Sequence, residues 1–175
     1  NVFYVETNYS NKSLTTLAGE QEYVILPEGV AGNPEDYEGI DVKGKVVFVQ
    51  RGGISFYLKG ENAVNAGAIA TVVYNNAAGV INMDLSDYTK TAPCVSITMA
   101  DGLAIWDAST KAEDESYATG SMTINKGISS VLYGSDHYTM SSFSSWGVPG
   151  SLELKPEITA PGGSIYSVNG AHNGE

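Results

Sequence analysis

The sequence predicts a soluble α/β domain. Three observations carry that expectation. Two continuous apolar, β-branched runs, residues 45–50 and 69–74, flank a stretch of helical character. Charged residues make up 17% of the 175-residue chain, below the roughly 25% usual for globular proteins. Glycine reaches 20 residues among many Ser, Thr, Asn and Tyr, a composition of strands and turns rather than of a helix bundle.

Along the chain, residues 2–16 alternate weakly and carry two N-glycosylation patterns, at Asn8 and Asn11. Residues 23–26 read as a strand stopped by Pro27, and 29–39 as a loop around Asn33-Pro34. The run 45–50 suits a strand buried on both faces. Arg51-Gly52-Gly53 then turns the chain, Ser55 is placed to cap a helix to Ala66, and Gly67 is its left-handed stop. Phe56, Gly60, Ala63 and Gly67 share one face of that helix, and 69–74 completes a β-α-β unit. Beyond a loop over 77–93, a short strand at 95–97 leads to a helix over 98–108, with Thr98 as its cap and Asp101 in its first turn. Residues 121–125 and 129–133 read as a hairpin joined by Lys126-Gly127. The polar, Pro- and Gly-punctuated tail sets a domain boundary near 135.

Charge and composition exclude several functions. A net charge of −11 opposes nucleic-acid binding, which needs a basic surface, and opposes anionic lipid. No apolar run approaches the roughly 18 residues of a membrane span. The lone Cys94, between Pro93 and Val95, reads as a buried core residue. The turn at 51–53 lacks the glycine spacing of a dinucleotide or nucleotide loop, so Arg51, Gly52 and Gly53 are assigned a structural turn. Asn82, Asp84 and Asp87 miss the calcium-loop spacing. His137 and His172 sit in polar surroundings without the acid that would orient a catalytic base. No catalytic, metal or cofactor-binding residue is assigned.

The segment Asp41-Val42-Lys43-Gly44-Lys45-Val46-Val47-Phe48-Val49-Gln50-Arg51-Gly52-Gly53-Ile54-Ser55-Phe56, followed by Ala66-Gly67-Ala68 and Tyr74-Asn75-Asn76, resembles the signature of protease-associated (PA) domains. Pro93-Cys94-Val95-Ser96-Ile97 with Asp101-Gly102 is similar to that family's later strand and helix. The resemblance covers about residues 20–108. It implies a PA fold of the swivelling β/β/α type: a mixed β-sheet or partly open barrel flanked by two or three short helices. In the tail, Phe143-Ser144-Ser145-Trp146-Gly147 and Leu154-Lys155-Pro156-Glu157-Ile158-Thr159-Ala160-Pro161-Gly162-Gly163 resemble the stretch before the nucleophile of subtilisin-like proteases, with Glu157 where relatives often have Asp. The pattern is most similar to cell-envelope proteinases of Gram-positive bacteria, the lactocepin type.

What the resemblance implies is an organisation and a role. Residues 1–134 form the PA domain with its entry strands, and 135–175 are a fragment of the catalytic domain. The implied function is an accessory module for substrate access or protein interaction in a secreted or cell-wall-associated serine endopeptidase, the alternative being a stand-alone protein-binding PA module. The family's catalytic Asp, His and oxyanion Asn precede the insertion, and its nucleophile is expected beyond Glu175, so the fragment is expected to be inactive alone. Phe143 is implied at the substrate cleft of the complete enzyme. The expected partners are a protein or peptide substrate and the remainder of the subtilase domain in cis, without nucleic acid or membrane insertion. Its uncovered apolar tail would favour a truncation-induced oligomer. No cofactor is implied; calcium is allowed in the parent, with no site identified here.

Overall fold

In the computed structural model, residues 1–7 and 12–126 are described. Their strands are β1 (Val5–Glu6), β2 (Gly19–Ile25), β3 (Val46–Gln50), β4 (Ala70–Tyr74), β5 (Cys94–Ile97), β6 (Thr110–Lys111) and β7 (Ala118–Ile124). The helices are α1 (Phe56–Ala66) and α2 (Met99–Ala108), with 3-10 turns at Leu14–Leu17 and Pro34–Tyr37. The strands form one sheet in the order β1-β5-β4-β3-β2-β7-β6. β2, β3, β4 and β5 run parallel to one another, while β1 on β5, β7 on β2 and β6 on β7 pair antiparallel. The sheet is mixed and stays open rather than closing into a barrel.

Both faces of the parallel core are covered, which explains the continuous apolar strands. Side chains alternate between faces. Val24, Val47, Val49 and Val73 pack with Ala63 of α1 and with Leu85 and Tyr88 of the following loop. Ile25, Val46, Phe48, Val72 and Val95 pack on the other face, with Ile105 and Trp106 of α2 against them. β3 and β4 are buried at every residue.

The local signals hold unevenly. Gly67 caps α1 in the left-handed region, at φ 112°. The Thr98 hydroxyl accepts from the Asp101 amide at 3.2 Å and starts α2. Ser55 precedes α1 but its side chain makes no capping bond, so the expected cap is corrected. The loop at 29–39 contains the Pro34–Tyr37 turn, closed by Asp36, whose carboxylate accepts from the Gly32 and Asn33 amides. Of the expected N-terminal alternation, β1 retains two residues. The strand expected at 121–125 is part of β7, whose seven residues all pair with β2. Its expected hairpin partner, 129–133, lies outside the described residues. The chain divides into two units, Asn1–Ser129 and Ser130–Glu175. The second, the expected boundary near 135, Asn8 and Asn11 likewise lie outside the described residues.

α2 approaches β4 through a residue with no side chain. A Cβ on Gly102 would stand 2.5 Å from Cβ and Cγ of Tyr74. In a helix interior, Ala ordinarily gains about 1 kcal/mol over Gly. Overpacking of this kind costs about 1–3 kcal/mol, so the clash wins. Gly102→Ala is expected to lower the melting temperature, read by calorimetry; a rise would mean that α2 lifts freely from the sheet.

Candidate functional site

Because β2 to β5 are parallel, their carboxyl ends meet at one edge of the sheet. The registers pair Ile25 with Phe48, Gln50 with Tyr74 and Tyr74 with Ile97. In open α/β sheets, ligands bind outside the carboxyl ends of the strands. Here the loops after β2, β3 and β4 emerge together, and buried side chains brace them.

The central brace is Lys59, on the inward face of α1 and without accessible surface. Its ammonium donates to the Ala31 carbonyl at 2.5 Å and to the Gly52 carbonyl at 2.6 Å. One side chain thereby ties the loop after β2 to the turn after β3. Burial pushes its pKa down to about 8, with the nearby Asp36 carboxylate working in the opposite direction. Asn62, one turn further along α1, donates to the Gly32 carbonyl at 3.0 Å. Gln50, at the end of β3, accepts from the Gly29 amide at 2.8 Å and donates to Glu28 at 3.3 Å.

The turn predicted as structural occupies the middle of this edge. Gly52 and Gly53 have φ 120° and 77°, which only glycine adopts cheaply. A Cβ on Gly53 would also lie 2.6 Å from Cβ of Ala31. The Arg51 amide donates to the Tyr74 carbonyl at 2.8 Å. Its guanidinium donates to Oδ1 of Asn75 at 3.2 Å and lies 6.0 Å from the centroid of Phe56. The same Asn75 amide donates to the Gly79 carbonyl at 3.0 Å, so it joins Arg51 to the loop after β4.

Among the described residues of this edge no base stands beside a nucleophile. Both histidines and Phe143 lie outside the described residues. Cys94 is fully buried, and burial pushes its thiol up to about 12, the state of an inert core thiol. Asp84 accepts from the Ser86 amide within its own loop. Among the described residues, no group of three or more His, Cys, Asp or Glu is placed to hold a metal. No helix among them is long and apolar enough to cross a membrane. Neither of two surface depressions is lined by these bracing side chains. One is lined by Glu22, Tyr23, Lys45 and Gly120, the other by Glu38, Glu113, Asp114 and Tyr117. Sequence reasoning singled out Arg51, Gly52 and Gly53; Gln50 and Asn75 stood in the quoted signature without a role, and Lys59 and Asn62 were given none. A lysine beside the small-residue face of α1 was the signal for Lys59.

A profile of the PA domain matches residues 17–105. The chain belongs to the PA-domain family. It is 34% identical over 164 residues to the minor extracellular protease Vpr of Bacillus subtilis (strain 168), a match covering 93% of this chain and 19% of that protein. It is 34% identical over 130 residues to the PI-type proteinase of Lactococcus lactis subsp. cremoris, covering 73% of this chain and 6% of that one. The chain thus spans a fifth or less of these proteases. Among solved structures, an aminopeptidase from Aneurinibacillus sp. strain AM-1 matches with a TM-score of 0.52 and 26% identity, over 69% of this chain and 31% of that one. The PA fold is shared between proteins named for different peptidase activities.

Two outcomes test the braces. Gly53→Val is expected to destabilise the domain by about 1–3 kcal/mol, through backbone strain and the clash with Ala31; an unchanged denaturation midpoint would remove the turn from the fold's constraints. For Lys59, the folded-state pKa of about 8 lies below the roughly 10.4 of an unfolded lysine. Below pH 8 both states hold the proton and the full cost of burying charge is present. Between the two values only the unfolded chain holds it, so folding stability rises with pH. The stability of the parent relative to Lys59→Met should therefore increase between pH 7.5 and 9.5, by on the order of 1 kcal/mol. Taking this difference cancels the tyrosines and Cys94, which titrate in both proteins. A flat or falling difference in denaturation midpoints would overturn it.

Proposed function

We propose that this chain is the PA segment of a secreted subtilisin-like serine endopeptidase. In that reading residues 1–134 are an accessory module that governs substrate access or protein contacts. Residues 135–175 belong to the catalytic domain in cis. The observation that carries the reading is the extent of the match to an extracellular protease. At 93% of the chain it runs well past the PA profile, which ends at residue 105, and into the tail. That tail holds the Phe143-Ser144-Ser145-Trp146-Gly147 and Ala160-Pro161-Gly162-Gly163 segments. On this reading Phe143 lines the substrate cleft of the complete enzyme, Gly52 and Gly53 serve a structural turn, and the parent acts outside the cell. On the same reading the chain alone is expected to show only background peptidase activity, since the family resemblance assigns none of its residues to the catalytic groups.

The fold offers a clean deletion. Gly19 and Ile124 are directly paired on adjacent strands, so a short Gly-Ser linker can replace residues 20–123. In the complete protease, this deletion is expected to leave hydrolysis of a small chromogenic peptide within a few-fold. Cleavage of casein should change by about tenfold or more in kcat/KM, as expected for a module that acts on substrate access. Equal loss on both substrates, or no change on either, would sink the accessory role.

A further inference from the structure

Arg51 is the only arginine in the 175 residues, and its setting is unusual for a surface cation. It is exposed, yet a neutral amide and an aromatic ring hold its guanidinium. Asn75 accepts one bond at 3.2 Å and Phe56 lies beside it. Among the described residues no carboxylate comes within ion-pair reach of it, in contrast to Lys45, which meets both Asp41 and Glu22. Among the described residues of a chain of net charge −11, that guanidinium is thus held on a braced edge without a carboxylate partner. A guanidinium presents five donors in a fork that fits a carboxylate bidentately, and one bond to Asn75 leaves most of that fork free.

Its surroundings describe the rest of the ligand. Gly29, Gly52, Gly53, Ala77, Ala78 and Gly79 are all exposed, so a polypeptide backbone can approach this edge closely. Val80 follows, 48% exposed. The Asn75 amide joins Arg51 to Gly79 through two hydrogen bonds, which sets the cation beside the Ala77–Val80 stretch. The loops are shaped before any partner arrives. Lys59, Asn62 and Gln50 hold them through hydrogen bonds to the backbone, and such preorganisation lowers the ordering cost of binding.

We propose that this edge is a docking site for an extended polypeptide segment. An acidic side chain of the segment would pair with Arg51, and an apolar neighbour would rest on Val80. The site deepens the accessory reading by naming what the module holds. It is tested on the 175-residue chain alone, whereas the deletion above is tested on the complete protease, so either can fail without the other.

The test is a titration of the 15N-labelled chain with two blocked pentapeptides, acetyl-Ala-Leu-Glu-Leu-Ala-amide and its Gln counterpart, followed by amide chemical shifts. The Glu peptide is expected to shift the amides of residues 51–55 and 76–80 in a saturable way. Its affinity should exceed that of the Gln peptide by about fivefold or more, the scale of a charge-assisted pair. Arg51→Gln should abolish the preference, and Arg51→Lys should retain only part of it. Melting temperature and amide dispersion serve as folding controls. If Arg51→Gln fails to fold, the Glu-to-Gln ratio on the parent and on Arg51→Lys still decides. Equal binding of the two peptides, shifts elsewhere on the domain, or identical shifts from acetate at the same concentration would each overturn the proposal.

Discussion

The arrangement of the carboxyl edge depends on a buried ammonium group. Lys59 has no accessible surface and reaches carbonyls on two separate loops. Removing such a charge from water is costly unless it is hydrogen-bonded. Here the backbone oxygens of Ala31 and Gly52 supply that compensation, and the Asp36 carboxylate adds attraction at longer range. The charge needs the loops to be where they are, and the loops need the charge. That reciprocity makes the turn at Gly52 and the loop at Ala31 one unit with α1.

The remaining braces extend the same logic. Asp36 collects the Gly32 and Asn33 amides, Asn62 takes the Gly32 carbonyl, and Gln50 takes the Gly29 amide. Each is a polar side chain used on backbone that strand pairing cannot satisfy, as ordered backbone requires. At the start of β3 the polar contacts are of another kind. Lys45 meets Asp41 at 3.1 Å and Glu22 at 3.9 Å, both on exposed carboxylates, where ion pairs contribute little. The buried polar investment lies on the edge that presents Arg51, which is the pattern expected where rigid elements hold recognition loops.

An accessory role suits this architecture physically. The parallel core is covered on both faces, so it needs no host domain to bury it. The outer ends of β2 and β7, Gly19 and Ile124, are paired neighbours, while β1 joins the far end of the sheet through β5. The buried, proton-retaining Cys94 packs beneath α1 and contributes to the core rather than to chemistry.

Much of the core was legible because its causes are local. Strands buried on both faces must be continuously apolar, so β3 and β4 could be read directly. Gly67 as a left-handed stop and Thr98 as a cap act within a few residues of themselves, and the PA signature around Arg51-Gly52-Gly53 identified the family. Ser55 had the right residue type for a cap but makes no such bond. The sheet order was not legible. β2 pairs with β7 across 105 residues from Gly19 to Ile124, and no periodicity encodes a partner so distant. Lys59 was missed for a related reason. A lysine taken alone reads as solvated, and becomes a core residue only when Ala31, 28 positions away, and Gly52, 7 positions away, bring their carbonyls to it. The sequence by itself determined the central strands β3 and β4 and the two helices, since steric preference and hydrophobic patterning act between near neighbours. Tertiary structure alone decided which loops share an edge and which polar groups are buried there, because that depends on the meeting of backbone groups far apart in the chain.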